Sequence, residues 1–131
     1  MGAVPASGVI LVVDDDDDLR NTLVDSLQGE GYHVLSAGSG ESALELLRGG
    51  AHHPCLLLLD LWMPGMDGWQ LRHALKEDAH LNRLPIVVMT AARDQSASFL
   101  DVAEILEKPF GLDRLLHVVR RHCGVADPPA A

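Results

Sequence analysis

Basic side chains are scarce in this chain: ten Lys and Arg face nineteen Asp and Glu, a formal net charge of −9 over 131 residues. Such a surface repels phosphate backbones and anionic lipids, which argues against nucleic-acid or membrane partners. Aromatics make up only 4% of the residues, so the core has to be aliphatic. No apolar run approaches the roughly 20 residues of a membrane span. Met1 to Gly8 also lacks the charged start and long apolar stretch of a signal peptide. Only two cysteines occur, Cys55 and Cys123, in or near apolar runs. They match no metal or redox motif and neither reads as reactive, which suits a reducing, cytoplasmic setting.

What is present fits one domain, since 131 residues leave no room for a second core. Val9 to Val13 is a β-branched, wholly apolar run halted by acids, the pattern of a strand buried on both faces. Leu19, Leu23 and Leu27 repeat at helical spacing up to Gly29 and Gly31. Tyr32 to Leu35 reads as a strand, and Ala43, Leu44 and Leu47 mark a second helix that Gly49-Gly50 ends. Cys55 to Leu59 is a third strand, because the run is short and follows Pro54. Leu71, Ala74 and Leu75 give a third helix, and Ile86 to Met89 a fourth strand after Pro85. Ser96 to Leu100 allows one or two helical turns, and Val102 to Leu106 a weak strand whose Glu104 suggests a sheet edge. Leu112, Leu115, Leu116 and Val119 define the last helix.

Alternating strands and helices predict an α/β fold: a five-stranded parallel sheet with helices on both faces, doubly wound in the flavodoxin-like manner. Ligands of such sheets sit beyond the carboxyl ends of the strands. Those ends carry Asp14 and Asp15, Asp60, Thr90 and Lys108. Carboxylates gathered in one crevice call for a hard cation such as Mg²⁺. An ammonium and a hydroxyl beside one carboxylate suit the spread charge of a transferring phosphoryl group, and the carboxylate itself can be the nucleophile.

The motifs Val12-Val13-Asp14-Asp15, Asp60-x-x-Met63-Pro64-x-x-Asp67-Gly68, Thr90-Ala91 and Lys108-Pro109-Phe110 resemble those of response-regulator receiver domains of two-component signalling, among them the chemotaxis-type single-domain receivers. The resemblance implies a receiver domain over residues 8–124 between a flexible N-terminus (1–7) and a flexible tail (125–131). It implies that Asp60 is the phosphoacceptor, served by a histidine kinase or phosphotransfer protein. Mg²⁺, or Mn²⁺, would be held by Asp14, Asp15, Asp60 and the backbone carbonyl of Trp62. Thr90 and Lys108 would hold the phosphoryl oxygens, Thr90 would start the conformational switch, and the Lys108-Pro109 bond would be cis. Such a domain promotes its own phosphorylation and dephosphorylation, is not an enzyme for external substrates, and signals by docking to a protein target that the sequence does not name.

Two departures bear on the switch. Lys108 follows Thr90 by eighteen positions, about one helical turn fewer than the family carries, which implies a shortened fourth helix. Ile105 stands where the family often has an aromatic switch residue. Trp62 and Ala92 occupy the positions that tune access of water to the acyl phosphate, and a bulky Trp62 beside Ala92 predicts a long-lived phosphoryl group.

Plainer readings compete. Asp16 to Asp18 read as a solvated helix start, and none of the seven histidines shows ligand spacing. Trp69 and Phe110 read as packing residues. Two functional alternatives are a pseudoreceiver that binds partners without phosphorylation, and a phosphatase of the haloacid dehalogenase type, suggested by Asp14-x-Asp16. The second lacks a further acidic cluster, since only Asp113 and Asp127 follow Lys108.

Overall fold

Strand β1 (Val9–Val13) lies second in a five-stranded sheet ordered β2-β1-β3-β4-β5, with β2 at His33–Ala37, β3 at Leu56–Asp60, β4 at Ile86–Ala91 and β5 at Glu104–Lys108. All four pairings are parallel. The computed structural model describes residues 8–91 and 101–124. The readings of Ser96 to Leu100 as a shortened fourth helix, of Ala92, and of flexible ends at 1–7 and 125–131 lie outside the described residues.

Helices α1 (Asp17–Gly29), α2 (Gly40–Arg48), α3 (Gly68–Lys76) and α4 (Leu112–Cys123) cover the sheet. Strand residues alternate in direction, so two cores form, one on each face. Ile10, Val12, Leu56 and Leu58 meet Leu23 and Leu27 of α1 and Leu115, Leu116, Val118 and Val119 of α4. Leu11, Val13, Leu57 and Leu59 meet Leu44 and Leu47 of α2 and Leu71 and Leu75 of α3. The wholly apolar β1 and β3 are therefore central because both of their faces are covered.

The helix starts are set locally. Asp16 caps α1 by accepting a hydrogen bond from the Leu19 N–H at 3.1 Å, and Asp17 and Asp18 fill the first turn, where the dipole favours carboxylates. The plain reading of these acids as a helix start thus holds. Asp67 and Gln70 form a reciprocal capping box at α3. Gly68, the first residue of α3, sits so close to the Asp60–Leu61 backbone that a Cβ there would lie 2.7 Å from Leu61 Cα and 2.9 Å from the Asp60 carbonyl oxygen. Only glycine admits that approach.

Three strands are displaced from their sequence readings. β2 and β3 begin and end later than Tyr32–Leu35 and Cys55–Leu59, and β5 is Glu104–Lys108 rather than Val102–Leu106. Ladder pairing decides these ends, with Thr90 opposite Glu107 and Ala91 opposite Lys108, and so carries charged residues into the edge strand. Glu104 is partnered there: its carboxylate lies 3.0 Å from Arg121, 3.7 Å from Arg114 and 3.6 Å from His122 of α4.

The cysteines correct an expectation. Cys55 and Cys123, read from the sequence as unreactive free thiols, form a disulfide with Cα atoms 5.5 Å apart. Their sequence separation of 68 hides the proximity, which arises because α4 runs back along the sheet and ends beside the start of β3. At the same end the Tyr32 hydroxyl donates to the Gly124 carbonyl at 2.5 Å. Among the described residues no helix is long and apolar enough to cross a membrane.

Candidate functional site

The strand order reverses between β1 and β3, so the crevice beyond their carboxyl ends is where a ligand of such a sheet binds. Asp14 and Asp15 follow β1, and Asp60 is the last residue of β3. Potential ligand atoms of the three carboxylates lie within 4.8 Å of one another. Asp14 is fully buried, Asp60 is 8% exposed, and Asp15 faces solvent.

Alternation along the strands brings the cation. Leu58 and Leu106 belong to the core on the α1/α4 face, so Asp60 and Lys108, two residues further along each strand, emerge on that face too. Lys108 Nζ lies 3.4 Å from Asp14 Oδ2 and 3.5 Å from Asp60 Oδ1. The Lys108–Pro109 peptide is cis, as the resemblance implied. Thr90, 2% exposed, follows Met89, the β4 partner of Asp60. Thr90 and Ile105 share the opposite, α2/α3 face by the same alternation, with Ile105 packed against that core.

The charge state follows from this geometry. Burial pushes the Asp60 carboxyl up to about 6 from an ordinary 3.8, and the neighbouring Asp14 and Asp15 charges push the same way. Lys108 and the Trp62 N–H, 3.4 Å from Asp60 Oδ1, oppose them incompletely. Three carboxylates against one ammonium leave an excess of negative charge, which a divalent cation would neutralise. The donors are all oxygen and one is exposed, the set a hard cation takes while keeping part of its water shell. The residues therefore fit Mg²⁺.

Trp62 is 53% exposed, and its ring leans on Trp69, centroids 6.3 Å apart at 51°. Trp69 and Phe110 pack against the two cores, as the sequence suggested. Arg20 was not legible from the sequence, where it reads as one more polar helix residue. Its Nη1 donates to the Asp14 carbonyl at 2.7 Å, beside the acid pair. The one available signal was its spacing of three from Asp17, to which it is ion-paired.

Comparison with known proteins agrees with this geometry. The family model described as response regulator receiver domain matches residues 10–120. The transcriptional regulatory protein AfsQ1 of Streptomyces coelicolor is 38% identical over 85 residues, covering 65% of this chain and 36% of that protein. The response regulator DivK of Brucella ovis is 26% identical over 121 residues, covering 89% of this chain and 97% of that protein. A putative response regulator from Chloroflexus aurantiacus superposes with a TM-score of 0.80 at 34% identity, covering 88% of this chain and 96% of the other. TrrA of Thermotoga maritima, solved in complex with Mg(2+)-BeF, gives 0.75 at 31% identity, covering 86% and 96%. The chain spans only 36%, 42% and 24% of the first three distinct curated relatives it matches. A doubly wound sheet in 2-1-3-4-5 order, an acid cluster at its switch point with a lysine reaching in from β5, and a family match over nearly the whole described chain have one common meaning: this chain belongs to the response regulator receiver domain family of two-component signalling.

Proposed function

We propose that Asp60 is the phosphoacceptor and that Asp14, Asp15, Asp60 and the Trp62 backbone carbonyl hold Mg²⁺, or Mn²⁺, during the transfer. The observation that carries this is the Lys108 ammonium set between Asp14 and Asp60 in a cluster of three converging carboxylates. A carboxylate oxygen of Asp60 attacks the phosphorus of a phosphohistidine on a kinase or phosphotransfer protein. The new O–P bond replaces the N–P bond, and the imidazole leaves with its electron pair. The metal supplies charge neutralisation for the phosphoryl oxygens. Lys108 meets another of those oxygens, exchanging its carboxylate contacts for the phosphoryl group, and the Thr90 hydroxyl donates to a third. The two donors reach the phosphoryl group from different strands, Thr90 from β4 and Lys108 from β5.

Phosphorylation then biases a two-state equilibrium. Thr90 and Ile105 share one sheet face, so movement of the hydroxyl toward the phosphate opens space that Ile105, an aliphatic side chain without a polar tip, fills by repacking. The domain acts in the cytoplasm, promotes only its own phosphorylation and dephosphorylation, and passes the signal to a protein target rather than to nucleic acid or membrane. Trp62, beside the acceptor in sequence, slows hydrolysis of the acyl phosphate.

Incubation with a small phosphodonor and Mg²⁺ followed by intact-mass measurement tests the assignment. One phosphoryl adduct is expected on the wild type, and none on Asp60→Asn or with chelator. No adduct from either a small donor or a kinase would leave a pseudoreceiver. Steady turnover of added phosphate esters would instead indicate a phosphatase.

A further inference from the structure

We infer that Arg20 is a positioning residue for the acid pair, setting the metal affinity of the pocket without touching the metal. This rests on the reading of Asp14, Asp15 and Asp60 as the Mg²⁺ ligands. Asp14 is held from every side. Its N–H donates to the Ala37 carbonyl at 3.2 Å, and its Oδ1 accepts from the Asp16 N–H at 2.9 Å. Its Oδ2 faces Lys108 at 3.4 Å, and its carbonyl accepts from Arg20 Nη1 at 2.7 Å. That carbonyl belongs to the peptide joining Asp14 to Asp15. The Arg20 bond therefore fixes the plane from which the exposed Asp15 side chain starts, and the Asp16 N–H bond to Asp14 Oδ1 holds the peptide on the other side of Asp15.

The guanidinium is itself pinned. Its Nη2 is ion-paired to Asp17, one helical turn earlier, and its head lies against Gly38 in the β2–α2 connection, where a Cβ would come within 3.2 Å of Nη1. The side chain is 18% exposed, far less than an unconstrained surface arginine. A planar fork bonding a carbonyl with one nitrogen and a carboxylate with the other is something lysine cannot duplicate. Groups that orient metal ligands from behind commonly change affinity by one order of magnitude or more when removed.

Charge and positioning predict opposite signs, which makes the inference testable. A cation beside a Mg²⁺ site repels the ion, so if Arg20 acted only through its charge, Arg20→Met would bind Mg²⁺ more tightly. If it orients the acid pair, Arg20→Met weakens Mg²⁺ binding by about tenfold, and Arg20→Lys weakens it by less. Isothermal titration of Mg²⁺ into metal-free wild type and both variants decides, with thermal melts in chelator confirming that each is folded. Equal or tighter binding by Arg20→Met overturns the inference. If that variant does not fold, wild-type affinity in Arg20→Lys overturns it equally. A wild type that takes up no Mg²⁺ overturns the metal reading itself, and this inference with it.

Discussion

The two ends of the sheet are built on opposite terms. At the carboxyl end, Asp14, Asp15 and Asp60 crowd together against a single lysine, and one of them, Asp60, is held well above its ordinary titration range. At the other end a disulfide ties the start of β3 to the last residue of α4, and the Tyr32 hydroxyl holds the Gly124 carbonyl. The strand that delivers the destabilising carboxylate at its finish is covalently anchored one residue before its start. Strain at a ligand site is tolerated where surrounding structure over-determines it, and β3, buried over all five of its residues, supplies that structure through packing on both faces.

The comparison can be broken first at the chemical end. Asp60→Asn should abolish phosphoryl uptake altogether, read as loss of the mass adduct, while leaving the fold intact. Any retained adduct would mean that another carboxylate serves as acceptor.

The anchoring end should respond in stability alone. Replacing Cys55 and Cys123 by Ser, or reducing the bond with excess dithiol, releases a loop of 68 residues. Chain entropy then predicts a loss of about 4 kcal/mol. Urea denaturation measures it, and Mg²⁺ affinity at low urea should stay at the wild-type value. A large fall in metal affinity would show that the two ends are not separable.

Protonation sharpens the contrast from the other side. The Asp60 carboxyl is raised in the folded protein to about 6 from 3.8, so the folded state binds this proton more tightly than the unfolded chain does. Its contribution is most favourable below pH 4, declines as pH rises, and is lost above about 6, a difference on the order of 3 kcal/mol. In chelator, the stability advantage of Asp60→Asn over wild type should therefore grow from pH 4 to pH 7. An advantage independent of pH would show that the surroundings do not raise the titration of the Asp60 carboxyl.

Gly68→Ala should have the smallest effect, about 1–3 kcal/mol by overpacking. Its Cβ would press on the Asp60–Leu61 backbone, so the loss should be accompanied by slower phosphoryl uptake. A stability loss with uptake unchanged would place the strain outside the site.

Much of this was legible in the sequence because the relevant signals are local. The apolar runs of β1 and β3, the stripes of α1 to α4 and the acids after β1 follow from periodicity and composition. Asp60, Thr90 and Lys108 stood out through their order at strand ends. What escaped depends on distances that only the folded chain creates. Cys55 meets Cys123 because of where α4 turns back. Glu104 is held by Arg121 and Arg114 across an edge, and a lone acid in an apolar run signals only that edge. Arg20 bonds a backbone carbonyl, which has no sequence signature. Strand ends shifted because ladder register, rather than hydrophobicity, ends a strand.

The most direct test is to phosphorylate the protein with a small donor and Mg²⁺ and fragment the intact chain in the mass spectrometer to locate the added group. The phosphoryl group should lie on the fragment containing Asp60, and none on fragments carrying Asp14 and Asp15. Its appearance on either of those two, or its presence without divalent metal, would contradict the assignment of acceptor and ligands made from the geometry of this pocket.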